Sequence, residues 1–185
     1  MGTKILDPTG HAARAAEALQ LAPRPAELTG RTVAVVDNGK QNAGSFVAQL
    51  AEELKERFGV GEVIVRKKPI ATVEAPVELL QELSDKADVV MIGVGDCGSC
   101  SAAAIADGIA LERMGTPTSV VCTASFKATD DAMASLKGAS GYRYAACEHP
   151  VAGLDADQLH GRVESVLDEV VALVTESPTA ERGAA

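Results

Sequence analysis

The sequence has 185 residues, of which 46% are hydrophobic and only 3% aromatic, and its 17 basic and 26 acidic residues give a formal net charge of −9. A chain of this length buries about 70% of its unfolded surface and so folds as roughly one domain without a disulfide or metal, while its acidic balance disfavours nucleic acid and anionic lipid as partners. No apolar stretch reaches the roughly 20 residues that cross a bilayer and no apolar core of signal-peptide length opens the chain, so we expect a cytoplasmic protein with reduced cysteines.

The chain is predicted to consist of an arm, one domain and a tail. Residues 1–30 form the N-terminal arm, residues 31–176 a single α/β domain and residues 177–185 a disordered tail. Within the arm, an Ala-rich stretch predicts a helix from His11 to Leu21, because prolines follow directly and cannot continue a helical hydrogen-bond ladder.

From Thr32 onward, short apolar runs alternate five times with stretches of helical periodicity. Five strands alternating with helices predict a doubly wound, flavodoxin-like, mostly parallel five-stranded sheet with helices on both faces. Ligands of such sheets bind beyond the carboxyl ends of the strands, so the residues that follow each strand are the candidates for a site. The predicted strands are residues 32–36, 62–66, 88–95, 118–122 and 142–147.

The third strand is followed by Asp96-Cys97-Gly98-Ser99-Cys100, with two thiols at a turn from strand to helix. A helix N-terminus offers unpaired N–H groups and partial positive charge, which stabilise a thiolate. We therefore predict that Cys97 is a nucleophile and Cys100 the resolving thiol, with Asp96, Gly98 and Ser99 in the substrate site. The carboxylate of Asp96 disfavours the thiolate unless it points away or accepts a proton. The alternative is that both thiols pack as small buried hydrophobic groups.

The first strand ends in a polar loop that carries Asp37, Asn38, Gly39, Lys40 and Asn42. Backbone N–H groups, the lysine and the Asn amides can hold a carboxylate or phosphate, so Asp37, Asn38, Lys40 and Asn42 are predicted to bind an anionic substrate. The alternative is an ordinary turn followed by a helix cap, for which Asn and Gly are favoured residues.

His149 follows the fifth strand and is predicted to act as an acid or base near neutral pH. Thr123 and Phe126 follow the fourth strand and are predicted to line the same edge of the sheet. Cys122 and Cys147 lie inside apolar runs and are predicted to pack in the core.

Three strand ends carry a resemblance to a known family: Asp37-Asn38-Gly39-Lys40 after the first strand, Gly95-Asp96-Cys97-Gly98-Ser99-Cys100 after the third and Glu148-His149-Pro150 after the fifth. With these in order, the chain resembles the UGSC family, which is named for a selenocysteine-Gly-Ser-Cys motif with Cys first in many members. From Cys97 to Pro150 it is also similar to the selenoprotein B subunits of glycine, sarcosine and betaine reductases. The resemblance implies a redox-active chalcogen that attacks a small substrate or exchanges with a disulfide. The residues that correspond to the selenoprotein B pattern are Cys97, Ile105, Glu112, Gly115-Thr116-Pro117 and His149-Pro150.

The leading hypothesis is a thiol-dependent oxidoreductase, in which Cys97 attacks, Cys100 closes a disulfide and His149 donates a proton to the leaving group. We expect no tightly bound cofactor, because no phosphate-binding Gly-x-Gly-x-x-Gly run follows a strand, and an external thiol or a thioredoxin-like protein would regenerate the dithiol. One alternative is a site for zinc or a softer metal formed by Cys97, Cys100, Cys122 and His149. Another is an accessory subunit that needs a second chain, and a homo-oligomer also stays open.

Overall fold

The computed structural model describes residues 19–175, in which five strands alternate with five helices. The predicted tail and most of the predicted helix from His11 to Leu21 lie outside these residues, and the part of that stretch from residue 19 onward is not helical. A short 3-10 turn, Ala124–Phe126, follows the fourth strand. The elements are β1 (Thr32–Asp37), α1 (Ala43–Phe58), β2 (Glu62–Lys67), α2 (Val77–Lys86), β3 (Val89–Gly95), α3 (Gly98–Arg113), β4 (Thr118–Thr123), α4 (Lys127–Leu136), β5 (Ala145–Cys147) and α5 (Ala156–Thr175).

The strands form one parallel sheet in the order β2-β1-β3-β4-β5, which confirms the predicted doubly wound fold. Apolar side chains of α1 and α5 pack on one face of the sheet, and those of α2, α3 and α4 pack on the other. The direction of winding reverses between β1 and β3, since α1 and α3 lie on opposite faces of the sheet, and ligands of such sheets bind beyond the carboxyl ends of the strands at this point.

Strand β3 lies at the centre of the sheet and all seven of its residues are buried, because helices cover both of its faces. Strand β2 lies at one edge, and its residues are exposed or half-buried. No helix among residues 19–175 combines the length and the apolar character that a bilayer-spanning segment requires.

Helix α3 approaches the end of β3 closely because both contribute small residues there. A Cβ added at Gly95 would lie 2.7 Å from Ser101 Cα and 2.8 Å from Cys122 Sγ. Any larger residue at position 95 would therefore push the N-terminus of α3 away from the carboxyl edge of the sheet.

The fifth strand is shorter than predicted, since it covers Ala145–Cys147 and not residues 142–147. Tyr142 supplies the apolar character that suggested the longer strand, but it is buried through its side chain and not through strand pairing. Its hydroxyl donates to the carbonyl oxygen of Thr118 at 3.2 Å, at the opposite end of β4 from the candidate site.

The described part of the predicted arm is packed against the domain through a buried ion pair. Arg24 Nη2 lies 2.7 Å from Glu112 Oε1, and 5% and 0% of the two side chains are exposed. Glu112 also accepts hydrogen bonds at 2.8 Å from the backbone N–H groups of Ala22 and Thr118. Glu112, near the C-terminal end of α3, thereby contacts both the arm and the start of β4.

Candidate active site

Cys97 forms the N-cap of helix α3. Its backbone is extended, with φ −158° and ψ 163°, and its Sγ accepts a hydrogen bond at 3.3 Å from the backbone N–H of Cys100. Ser, Thr, Asp and Asn normally occupy this position because a side-chain acceptor there satisfies a free N–H group of the first turn. A half-buried thiol in the same place is held where the helix stabilises its anion.

The surroundings of Cys97 favour its thiolate. Burial raises the pKa of the Cys97 thiol, but the neighbouring side chain and the backbone N–H of Cys100, the Ser99 hydroxyl and the positive charge of Lys40 lower it below its ordinary value. The Ser99 Oγ atom lies 3.8 Å from Cys97 Sγ. Lys40 and Ser99, both predicted from sequence, therefore lie close enough to act on the nucleophile.

Cys100 is the opposite kind of thiol. It is fully buried, its Sγ accepts from the N–H of Asp96 at 3.3 Å, and its thiol donates to the carbonyl oxygen of Cys97 at 3.3 Å. Burial, with the neighbouring Cys97, raises the pKa of Cys100 to about 11. The motif thus holds a thiol whose pKa is lowered beside a buried thiol whose pKa is raised.

Asp96 points away from the thiols and toward the loop that follows β5. Its Oδ2 accepts from the N–H of Ala152 at 2.8 Å, and its Oδ1 lies 2.9 Å from His149 Nδ1. Thr123 Oγ1 lies 3.1 Å from the same nitrogen, and the ring of Phe126 meets the imidazole edge-on, with centroids 5.4 Å apart. The structure therefore brings three of the predicted site residues, Asp96, Thr123 and Phe126, together around the imidazole of a fourth, His149.

Asp37 and Asn38 hold the loop after β1 in shape. Asp37 Oδ1 accepts from the N–H of Gly39 at 2.7 Å. The fully buried Asn38 donates through Nδ2 to the carbonyl oxygen of Val94 at 2.7 Å and accepts through Oδ1 from the N–H of Lys40 at 3.1 Å. These side-chain contacts match the turn alternative, and they place Lys40 for its effect on Cys97.

Asn42 also braces the edge of the sheet. It adopts a left-handed backbone with φ 66°, and its Nδ2 donates to the carbonyl oxygens of Val151 at 3.0 Å and Leu154 at 2.9 Å. It makes no side-chain cap bond to α1. Asn42 therefore ties the start of α1 to the loop that carries His149.

The four residues predicted as an alternative metal site are not assembled into one. Within residues 19–175, the His, Cys, Asp or Glu ligand atoms that lie within 4.8 Å of one another in a group of three or more belong to Glu53, His160 and Glu164. Cys122 packs instead in the core beneath α3 and α4, while His149 is partly exposed at the edge of the sheet. Cys122 and Cys147 are both buried, as predicted.

A comparison with family models identifies the chain. The model of the UGSC family matches residues 4–176, which include every strand and helix described above. The chain belongs to the UGSC family. A comparison with curated proteins finds no match. In this UGSC protein the family motif is Cys97-Gly98-Ser99-Cys100, with sulfur at its first position, and the likeness to selenoprotein B stays a prediction.

Sequence reasoning missed a buried carboxylate near the UGSC motif. Asp130 lies in the first turn of α4, where an acidic residue is usually exposed and favours the helix dipole, but it is fully buried and neither carboxylate oxygen has a hydrogen-bond partner among the described residues. Burial is the main cause that raises its pKa to about 6. Its spacing of four residues from the buried Ala134 was the signal that could have placed it on the inner face of the helix.

A second missed feature of the UGSC protein is the buried pair of Lys68 and Asp107. Lys68 Nζ donates to Asp107 Oδ2, and Asp107 Oδ1 accepts from the N–H of Ala75 at 2.7 Å. Asp107 follows Cys100 by seven residues, so both lie on the same side of α3. The pair fastens the segment between β2 and α2 to the helix that carries the motif.

Proposed function

We propose that this protein is a thiol-dependent oxidoreductase in which Cys97 attacks a small electrophilic substrate and Cys100 completes the redox step. The observation that supports it most is the contrast between the two thiols of the motif. The pKa of Cys97 is lowered at a half-buried helix cap, and the pKa of Cys100 is about 11 at a buried position one turn later. A dithiol that cycles needs such a pair, because one sulfur must react first and the other must wait.

With a disulfide R–S–S–R′ as substrate, two exchanges complete the reaction. In the first, the Cys97 thiolate attacks one sulfur, the mixed disulfide Cys97–S–S–R forms, and R′S⁻ leaves and takes a proton from protonated His149. In the second, Cys100 gives its proton to His149 and attacks Cys97 Sγ, so that RS⁻ leaves and is protonated by solvent. The substrate gains two electrons, and the protein is left with a Cys97–Cys100 disulfide that an external dithiol or a thioredoxin-like protein reduces.

The charge around Cys97 favours an anionic substrate. Lys40 contributes positive charge at the thiol, and the first turn of α3 contributes its N–H groups and the Ser99 hydroxyl. Asp96 does not oppose this charge at the thiol, because its carboxylate contacts Ala152 and His149. We therefore infer that a carboxylate or another anionic group of the substrate lies beside Lys40.

The test is a single-turnover reaction of the reduced protein with a small aromatic disulfide, followed by mass analysis of the intact chain. The wild type should release two thiols per chain and lose two hydrogens. Cys100→Ser should release one thiol and keep a mixed disulfide, and Cys97→Ser should not react at the motif. Cys147→Ala is the matched control, since Cys147 is buried with a pKa raised to about 11, and it should behave as the wild type.

Two results would overturn the proposal. One is a Cys97→Ser variant that keeps the wild-type rate and yield. The other is a wild-type protein that stops at the mixed disulfide even though Cys100 is present and reduced.

A further inference from the structure

Backbone groups bind each sulfur of the motif separately while the pair is reduced. The N–H of Cys100 donates to Cys97 Sγ at 3.3 Å, and the thiol of Cys100 donates to the carbonyl oxygen of Cys97 at 3.3 Å. The N–H of Asp96 donates to Cys100 Sγ at 3.3 Å, and this bond is buried. The reduced motif therefore has hydrogen-bond partners for both of its sulfurs.

A disulfide cannot keep all of these contacts. Oxidation removes the hydrogen of the Cys100 thiol, so the carbonyl oxygen of Cys97 keeps only the N–H of Ser101, at 2.9 Å. The two sulfurs must also come within about 2 Å of each other, and a neutral disulfide sulfur accepts a hydrogen bond more weakly than a thiolate does. The N–H groups of Asp96 and Cys100 are then left with weaker acceptors, which is costly for the buried one.

The charge around Cys97 acts in the same direction. Lys40 and the first turn of α3 favour a negative charge on Cys97 Sγ, and a disulfide carries no such charge. Closure of a loop of only four residues gains little in return, because the stabilisation by a disulfide grows with the length of its loop. Hydrogen bonds and charge thus both stabilise the dithiol relative to the disulfide.

We propose that the fold stabilises the reduced motif over its disulfide, so that a small anionic monothiol is sufficient to reduce the oxidised protein. A disulfide whose reduced form is stabilised has a more oxidising potential. The positive charge of Lys40 at Cys97 favours a donor that carries carboxylates, as glutathione does. Resting on the proposed function, the inference names the reductant of the cycle, and it requires a substrate that is a stronger oxidant still, such as an activated disulfide.

Reduction by a monothiol consists of two exchanges at the accessible sulfur. A thiolate RS⁻ attacks the half-buried Cys97 Sγ, which breaks the Cys97–Cys100 bond and forms Cys97–S–S–R, and the buried Cys100 thiolate takes a proton from solvent. A second RS⁻ attacks the sulfur of R, so that RSSR forms and Cys97 leaves as a thiolate. The two monothiols together lose two electrons, and the protein disulfide gains them.

The primary measurement is the equilibrium between dithiol and disulfide in glutathione buffers of graded ratio, read by acid quenching and mass analysis of the intact wild-type chain, with proteolytic mapping of the bond. The matched reference is a synthetic peptide of residues 94–103, which carries the motif without the sheet. The equilibrium constant for disulfide formation should be at least about tenfold smaller in the protein, as the loss of one or two hydrogen bonds predicts. An equal or larger constant in the protein overturns the inference.

The second measurement compares urea unfolding of the reduced and the oxidised protein. Cys122→Ala/Cys147→Ala is the background for both forms, because it leaves the motif with the only two thiols of the chain. A disulfide that is disfavoured in the native state relative to the unfolded state destabilises the fold, so the oxidised form should unfold at a lower urea concentration than the reduced form. An oxidised form that unfolds at the same or a higher concentration overturns the inference.

The anionic donor is tested by rates of reduction. The rate constant for glutathione relative to that for uncharged mercaptoethanol should fall by about threefold in Lys40→Gln, and the difference should shrink in high salt. Lys55→Gln, at an exposed position of α1, is the matched control and should keep the wild-type ratio. Equal ratios in the two variants overturn the assignment of an anionic donor.

Failure of the inference can be told apart from failure of the proposed function. The equilibrium constant needs no substrate, so a protein disulfide as stable as that of the peptide would overturn the inference while Cys97 still attacks. A motif that stays reduced in buffers that oxidise the peptide, and that also fails to react with an aromatic disulfide, would support the inference and contradict the proposed function.

Discussion

The two ends of helix α3 both carry a buried carboxylate, but they differ in how completely it is satisfied. At the C-terminal end, Glu112 accepts from Arg24 at 2.7 and 2.9 Å and from the backbone N–H groups of Ala22 and Thr118 at 2.8 Å. Both of its oxygens are thus fully used. This end of the helix is a closed structural joint.

At the N-terminal end the polar groups are left partly free. Asp96 Oδ1 has only the close contact with His149, Ser101 Oγ has no partner among the described residues, and Cys97 Sγ is half-exposed. Buried polar groups without partners destabilise a fold, so they persist where something else depends on them. The contrast teaches that the same helix is anchored at one end and held ready for chemistry at the other.

The largest expected effect comes from breaking the buried Arg24–Glu112 ion pair at the C-terminal end of α3. Arg24→Met should lower the free energy of unfolding by about 3–5 kcal/mol, because it leaves the Glu112 carboxylate buried without its counter-charge. Urea denaturation measures this loss. Glu164→Gln is the control, since the Arg57–Glu164 pair is 43% and 42% exposed and should contribute less than about 1 kcal/mol. Equal losses of unfolding free energy in the two variants would mean that the buried Arg24–Glu112 pair contributes no more than the surface Arg57–Glu164 pair.

The next largest effect concerns Asp130, close to the reactive end. Burial raises the pKa of Asp130 from 3.8, its ordinary value in an unfolded chain, to about 6. The free energy of unfolding is therefore highest below pH 3.8, where Asp130 is protonated, and it falls as the pH rises through 6 and the buried carboxyl group ionises. Asp130→Asn stays neutral, and its stability relative to the wild type should therefore rise by about 3 kcal/mol between about pH 4 and pH 8.

Thermal or urea unfolding at several pH values checks this slope, with the exposed Asp168→Asn as the reference. A difference between Asp130→Asn and the wild type that stays constant with pH would show that the buried carboxylate does not carry the titration.

A smaller effect separates two glycines that flank the motif. Gly95→Ala should cost about 1–3 kcal/mol, because its Cβ would lie 2.6 Å from Ser101 Oγ and 2.8 Å from Cys122 Sγ. Gly98→Ala meets no atom within 4 Å and should change stability by less than about 0.5 kcal/mol. The comparison measures how tightly α3 is seated on β3, and equal melting temperatures for the two variants would argue against close seating.

The smallest effect is on the nucleophile itself. Lys40→Gln should raise the pKa of Cys97, because it removes a positive charge that favours the thiolate. The midpoint of the pH profile for alkylation by iodoacetamide should move upward by less than about one pH unit, and the difference should shrink in high salt. Lys55→Gln, on the exposed side of α1, is the control and should leave the midpoint in place. A profile of Lys40→Gln that matches it would remove Lys40 from the site.

Much of the fold follows from local pattern. Strand β3 was predicted at residues 88–95 and is Val89–Gly95, because a continuous apolar run between turn residues fits only a covered central strand. Strand β5 was predicted too long, since Tyr142 has the apolar character of a strand residue but uses it to pack its side chain. Periodicity reports that a side chain is buried and does not report how.

The site was predictable to the same depth. The N-cap position of Cys97 could be predicted from the local order of an apolar strand, a Gly-containing motif and an Ala-rich helix. The structural role of Asn38 and Asn42 could not be predicted, because their hydrogen-bond partners Val94, Val151 and Leu154 lie far along the chain. A side chain suited to binding an anion is equally suited to bracing a loop, and only the neighbours decide between the two.

The order of the elements, the parallel sheet and the place of two thiols at a helix start were determined by the sequence alone, because they depend on residues close together in the chain. The tertiary structure decided which thiol is exposed, where the Asp96 carboxylate points and which carboxylates find a cation. Asp96 contacts His149 and Ala152, more than fifty residues away, and Glu112 contacts Arg24 across 88 residues. Such long-range contacts depend on how the helices and the sheet pack together, and the local spacing of residues along the chain does not predict them.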